Sequence, residues 1–86
     1  MRKQPNKMLE LYQFEECPYC KTVRTKFTDL GLSYIIHNVP REREDRVDLE
    51  KLSKQKFVPV LIDPNTDTII IDDDEKAVAY LEGQYR

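Results

Sequence analysis

The two cysteines of the chain stand together as Cys17-Pro18-Tyr19-Cys20. They lie between an apolar run that ends at Phe14 and a helical pattern that runs to Gly31, so a strand must hand over to a helix at the thiols. Two thiols one helical turn apart can be reached by the same substrate sulfur, which suits reversible thiol-disulfide exchange. Cys17 falls where unpaired backbone N–H groups and the positive end of the helix dipole stabilise a thiolate. It is the candidate nucleophile, and Cys20, facing inward, is the candidate resolving thiol. Pro18 takes the first helical position, where a missing N–H costs nothing. A closed zinc site needs four ligands, and only His37 would be left to join the pair. A purely structural disulfide across one turn would constrain little of the unfolded chain. Redox chemistry is the reading that uses the spacing.

The rest of the chain fits one domain over residues 8–86, with residues 1–7 expected as a flexible tail. Met8 to Phe14 carries apolar residues on both faces, as an inner strand covered on both sides does. Cys20, Val23, Phe27 and Leu30 recur at helical steps, and Gly31 stops that helix. Ser33 to Val39 predicts a second strand, parallel to the first because a helix joins them. Arg41 to Lys56 is dense in charge, with few apolar positions beyond Val47, Leu49 and Leu52, and predicts a shallowly packed helix. Phe57 to Ile62 is a third strand with Pro59 near its start, since proline cannot donate to a ladder. Asp63 to Asp67 is turn chemistry, and Thr68 to Ile71 returns as a hairpin strand. The acidic run Asp72 to Glu75 then opens a last helix that reaches Tyr85. If the first and third strands are the inner ones, the fold is α/β, with a four-stranded mixed sheet of order 2-1-3-4 flanked by three helices.

Charge narrows the function further. Lys and Arg total 14 against 16 Asp and Glu, so no basic field supports nucleic-acid binding. No stretch approaches the roughly 20 apolar residues of a membrane span. Residues 1–7 lack the apolar run of a signal peptide. The expectation is a cytoplasmic monomer, in a compartment where paired thiols are more often catalytic than structural. His37, on an expected edge strand far from the thiols, is assigned solvent exposure and no role.

With Cys17-Pro18-Tyr19-Cys20 after the first strand and Val58-Pro59 opening the third, the chain resembles the glutaredoxin branch of the thioredoxin fold. Leu11-Tyr12-Gln13-Phe14, Val58-Pro59-Val60-Leu61 and Ala77-Val78-Ala79-Tyr80-Leu81 are similar to a glutathione transferase N-terminal domain. The resemblance implies a glutathione-dependent oxidoreductase that acts on protein disulfides or glutathionylated proteins. It implies a cis proline at Pro59 beside the nucleophile, with the Val58 backbone free to pair with glutathione. It also implies γ-glutamyl contacts at Asp73 and Asp74, a carboxylate contact at Lys56, and packing of Tyr19 beside the tripeptide. No metal is expected. The chain departs from the family pattern in three places. Phe14 stands where a Lys or Arg is common, Glu15 and Glu16 bring negative charge towards the thiol, and Ile70 and Ile71 replace a frequent Gly-Gly. A thioredoxin substitute reduced by a flavoprotein is therefore an alternative. A glutathione-dependent iron-sulfur carrier is a more distant one, because Pro18 stands where cluster-binding members carry a small residue.

Overall fold

The fold was read from a computed structural model that describes residues 4–86. Four strands, β1 (Leu9–Gln13), β2 (Tyr34–Asn38), β3 (Val60–Asp63) and β4 (Thr68–Ile71), form one sheet in the order β2-β1-β3-β4. β1 pairs parallel with β2 and antiparallel with β3, and β3 pairs antiparallel with β4. Three helices, α1 (Pro18–Leu30), α2 (Val47–Ser53) and α3 (Asp74–Tyr85), complete a thioredoxin-like fold. The expected sheet order and helix count are both found.

Alternation along the strands divides the core in two. Leu9 and Leu11 of β1, Leu61 of β3 and Ile70 of β4 share one sheet face, which α1 covers with Val23, Phe27 and Leu30, and α3 with Ala77 and Leu81. Phe27 stacks on Tyr34 of β2 with ring centroids 4.0 Å apart, closing the β2 side of that layer. The opposite face holds a smaller cluster in which Leu49 of α2 meets Val60, Val58 and both cysteines. The thiols therefore belong to the thinner layer, at the C-terminal end of β1.

Each end of α1 is set by its sequence. Cys17 is the N-cap and Pro18 the first helical residue. Gly31 ends the helix at φ 67°, a left-handed conformation that glycine adopts without steric cost, and Leu32 N–H closes the motif on Phe27 O at 3.0 Å.

The long helix expected over 41–56 is not formed. A short 3₁₀ turn at Arg43–Asp45 precedes α2, and Lys54 at φ 61° ends it. Arg46 explains the interruption. Its side chain donates to Pro40 O at 2.8 Å and to Arg41 O at 3.0 Å, capturing carbonyls that a continuous helix would direct along its own axis. Of the expected tail, residues 1–3 lie outside the described residues. Gln4 donates to Gly31 O at 2.9 Å and accepts from Ser33 N–H at 2.8 Å, and Lys7 N–H donates to Asn65 Oδ1 at 3.0 Å. His37 lies on the edge strand as expected but is half-buried rather than exposed, with its Nε2 at 2.7 Å from Glu10 Oε1 and its ring stacked on Tyr12.

Candidate active site

The segment from β1 to α1 is held on both sides. Buried Gln13 donates to Asn38 Oδ1 at 2.5 Å and accepts from Arg24, which also donates to Glu15 O at 3.2 Å. Arg41 donates twice to Glu16, from Nε to Oε1 at 2.9 Å and from Nη2 to Oε2 at 2.8 Å. These hydrogen bonds hold the Glu16 carboxyl below the usual range and largely neutralise one of the two charges that oppose a thiolate at Cys17.

Cys17 and Cys20 are free thiols, 4% and 0% exposed. Cys20 N–H donates to Cys17 Sγ at 3.2 Å, so the helix start engages the sulfur directly. Cys20 faces the core, as expected. Burial, its hydrogen bond with Cys17 and the charge of that neighbour push the Cys20 thiol up to about 12.

Cys17 opens on a groove of about 490 Å³. Phe14, Pro18 and Tyr19 line it beside Cys17, together with Phe57 and Val58 from the segment before β3. Loop residues 41–44 and Arg46 make the third side, and Asp72 closes the end near α3. The Val58-Pro59 peptide is cis, and Pro59 O accepts from Asp72 N–H at 2.8 Å. Among the described residues the Val58 backbone makes no hydrogen bond to another backbone group, leaving it open to a ligand lying in the groove.

The structure thus brings Cys17, Tyr19 and Val58 to one groove, with Cys20 and Pro59 buried behind it. The other residues named from the resemblance do not line it. Lys56 gives its backbone carbonyl to Arg46 Nη1 at 3.0 Å. Asp73 is spent on capping α3, accepting from Lys76 N–H at 2.9 Å, and Asp74 begins that helix half-buried. Asp72, one residue earlier at φ 53°, reaches the groove instead. Arg41, Arg43, Arg46 and Phe57 also line the groove, with no sequence signal that marks them. The charge-dense run looks like a solvated helix face, and only the fold reveals that it turns back over the thiols.

A family model for the glutathione S-transferase N-terminal domain matches residues 11–86. The chain belongs to that family. It is also 32% identical over 59 residues to an uncharacterised glutaredoxin-like 8.6 kDa protein of the rubredoxin operon of Clostridium pasteurianum, covering 67% of this chain and 79% of the relative. Among solved structures, a glutathione transferase homologue from Drosophila mojavensis with bound glutathione superposes with a TM-score of 0.79 at 26% identity, over 91% of this chain and 35% of the other. Glutaredoxin 2 of Salmonella typhimurium, in complex with glutathione, gives 0.75 at 19% identity over 90% and 34%. This thioredoxin-fold, glutaredoxin-like chain therefore spans about a third of the length of both solved proteins.

Proposed function

We propose that the protein is a glutathione-dependent thiol-disulfide oxidoreductase of the glutaredoxin type, working on protein disulfides or glutathionylated proteins. The observation that carries the reading is the placement of Cys17 Sγ at the N-cap of α1, in one groove with Val58, whose backbone makes no backbone hydrogen bond among the described residues. Glutathione complexes of the Drosophila mojavensis and Salmonella typhimurium structures support the choice of ligand.

In the proposed reaction the Cys17 thiolate attacks one sulfur of the substrate disulfide. A bond from Cys17 Sγ to that sulfur forms, the substrate S–S bond breaks, and the other sulfur leaves as a thiolate that takes a proton from solvent. In the dithiol route Cys20 loses its proton and attacks Cys17 Sγ. The two cysteines become a disulfide, and the second substrate sulfur leaves reduced. In the monothiol route Cys17 attacks the glutathione sulfur of a glutathionylated protein and the protein thiolate leaves; a second glutathione thiolate then attacks the Cys17-bound glutathione sulfur, so glutathione disulfide leaves and the Cys17 thiolate is restored. Glutathione supplies the two electrons in either case.

The test is turnover of a small glutathione mixed disulfide by the wild type, Cys17→Ser and Cys20→Ser, with glutathione and glutathione reductase as the electron source. Activity in the wild type and Cys20→Ser, with none in Cys17→Ser, is the expected pattern. Full activity in Cys17→Ser would refute the assignment.

The positions of Lys56, Asp73 and Asp74 outside the groove favour a second reading, a thioredoxin substitute reduced by a flavoprotein. Reduction by a thioredoxin reductase, with no response to glutathione, is the result that selects it. In either reading we place the protein in the reducing cytoplasm.

A further inference from the structure

Arg46 is 5% exposed as a residue, yet its guanidinium forms no ion pair among the described residues. Its donors go to three carbonyl oxygens, those of Pro40, Arg41 and Lys56, at 2.8, 3.0 and 3.0 Å. Those carbonyls satisfy its hydrogen bonds but leave its unit charge in place. The guanidinium carbon lies 5.1 Å from the centre of the Phe14 ring, on the wall of the groove onto which Cys17 opens. A buried cation held by neutral oxygens has a strong field, because little water screens it.

The other charges around Cys17 are balanced or exposed. Glu16 is paired with Arg41, and Arg43 stacks over Phe57 with its guanidinium carbon 4.4 Å from the ring centre. Glu15 precedes the thiol on its own loop, Glu42 and Glu44 stand on the loop opposite, and Asp72 closes the groove; all four are exposed. From α1 come the neutral Cys20 thiol and Arg24, which is committed to Gln13 and Glu15 O. On the far side of Arg46, His37, Asp45 and Asp48 line a neighbouring cleft, and none forms an ion pair with it.

We propose that Arg46 is the positioning residue for the Cys17 thiolate. Its buried charge stabilises the anionic sulfur, and its bond to Lys56 O fixes the segment that carries Val58 against that sulfur. The inference rests on the exchange reading of Cys17 and adds a charged residue that positions the nucleophile.

The experiment is the rate of Cys17 alkylation by iodoacetamide as a function of pH in the full chain, with folding checked by circular dichroism. The proteins compared are the wild type, Arg46→Gln and Arg46→Lys. Removing the charge is expected to slow alkylation about tenfold near pH 6 while leaving the alkaline plateau unchanged. Arg46→Lys keeps the charge but not the three-way fork, and should stay within about twofold of the wild type near pH 6. Superimposable wild-type and Arg46→Gln profiles would overturn the proposal. So would a tenfold loss in folded Arg46→Lys, which decides the matter if Arg46→Gln does not fold. A wild-type Cys17 that reacts only at alkaline pH would overturn the exchange reading together with it. A wild type reactive near pH 6 but indifferent to Arg46→Gln would remove this inference alone.

Discussion

Cys20 N lies 3.2 Å from Cys17 Sγ, so the thiol on the groove is hydrogen-bonded by the backbone of the second cysteine of the pair. The two sulfurs share one helical turn but not one environment. Cys17 opens on the groove, while Cys20 is wholly buried and pushed up to about 12 by burial first, then by Cys17 itself. A limiting amount of alkylating agent near pH 7 should therefore modify Cys17 at least about tenfold faster than Cys20, since the thiolate is the reacting species. Peptide mapping by mass spectrometry reads the ratio directly. Equal labelling of the two would show that the turn opens freely in solution.

The sheet order was legible because β1 and β3 carry apolar residues on both faces and the connection from β1 to β2 is long enough for a helix. Cys17, Pro18 and Gly31 marked both ends of α1 through local chemistry alone. The third side of the groove was not legible, because what shapes it is distant in sequence. Arg46 bonds Lys56 O ten residues ahead and Pro40 O six behind, and neither contact leaves a periodic trace. The acidic run before α3 was legible as a helix start, but which aspartate turns to the groove depends on the positive φ of Asp72. Single-residue backbone geometry of that kind is only weakly encoded, because aspartate also serves as an ordinary cap.

Asp63 predicts how the domain responds to acid. Fully buried at the end of β3, it accepts from Tyr80 Oη at 2.5 Å, from Tyr85 Oη, and from Asn65 N–H and Nδ2 at 2.9 and 2.8 Å. Burial pushes its carboxyl up, but the bonds from Tyr80, Tyr85 and Asn65 together outweigh that and hold it below the usual range. Its folded value is thus lower than the unfolded one of about 3.9. The stabilisation it gives is complete above that pH and is lost as pH falls through the folded value. Asp63→Asn should cost about 2 kcal/mol at pH 7, by setting an amide donor against donor hydroxyls. Urea titrations of both proteins should show the gap narrowing below about pH 4. A gap constant with pH would mean that the carboxylate charge contributes nothing.

Gly31 predicts a smaller and pH-independent loss. At φ 67° a Cβ would crowd the following carbonyl, and Gly31 N–H donates to Thr28 O at 3.0 Å, so the turn cannot simply relax. Gly31→Ala should cost about 1 kcal/mol. For a domain of this size that lowers the melting temperature by about 4–8 °C. Thermal unfolding followed by circular dichroism measures it, and exchange activity of the folded variant should not change, because the site is at the other end of α1. An unchanged melting temperature would show that the C-terminal turn of α1 does not limit stability.

The Glu16–Arg41 pair should matter to rate rather than to stability. It is exposed on both sides, with side chains 57% and 70% accessible, so solvent screens it and its loss should move the melting temperature by less than about 2 °C. Arg41→Ala, however, leaves the Glu16 carboxylate uncompensated beside the groove that an anionic glutathione disulfide would enter in the proposed reaction. At low salt this variant should lose about two- to fivefold in kcat/KM for such a substrate through slower encounter. Arg41→Ala combined with Glu16→Gln restores the charge balance and should recover most of the loss. Raising salt to about 0.5 M shortens the screening length to a few ångströms and should bring all three proteins together. The decisive measurement is kcat/KM against ionic strength for the wild type, the single variant and the double variant. If the single variant is slow at every salt concentration and the double variant equally slow, Arg41 acts by shaping the loop, and the electrostatic account of the pair fails.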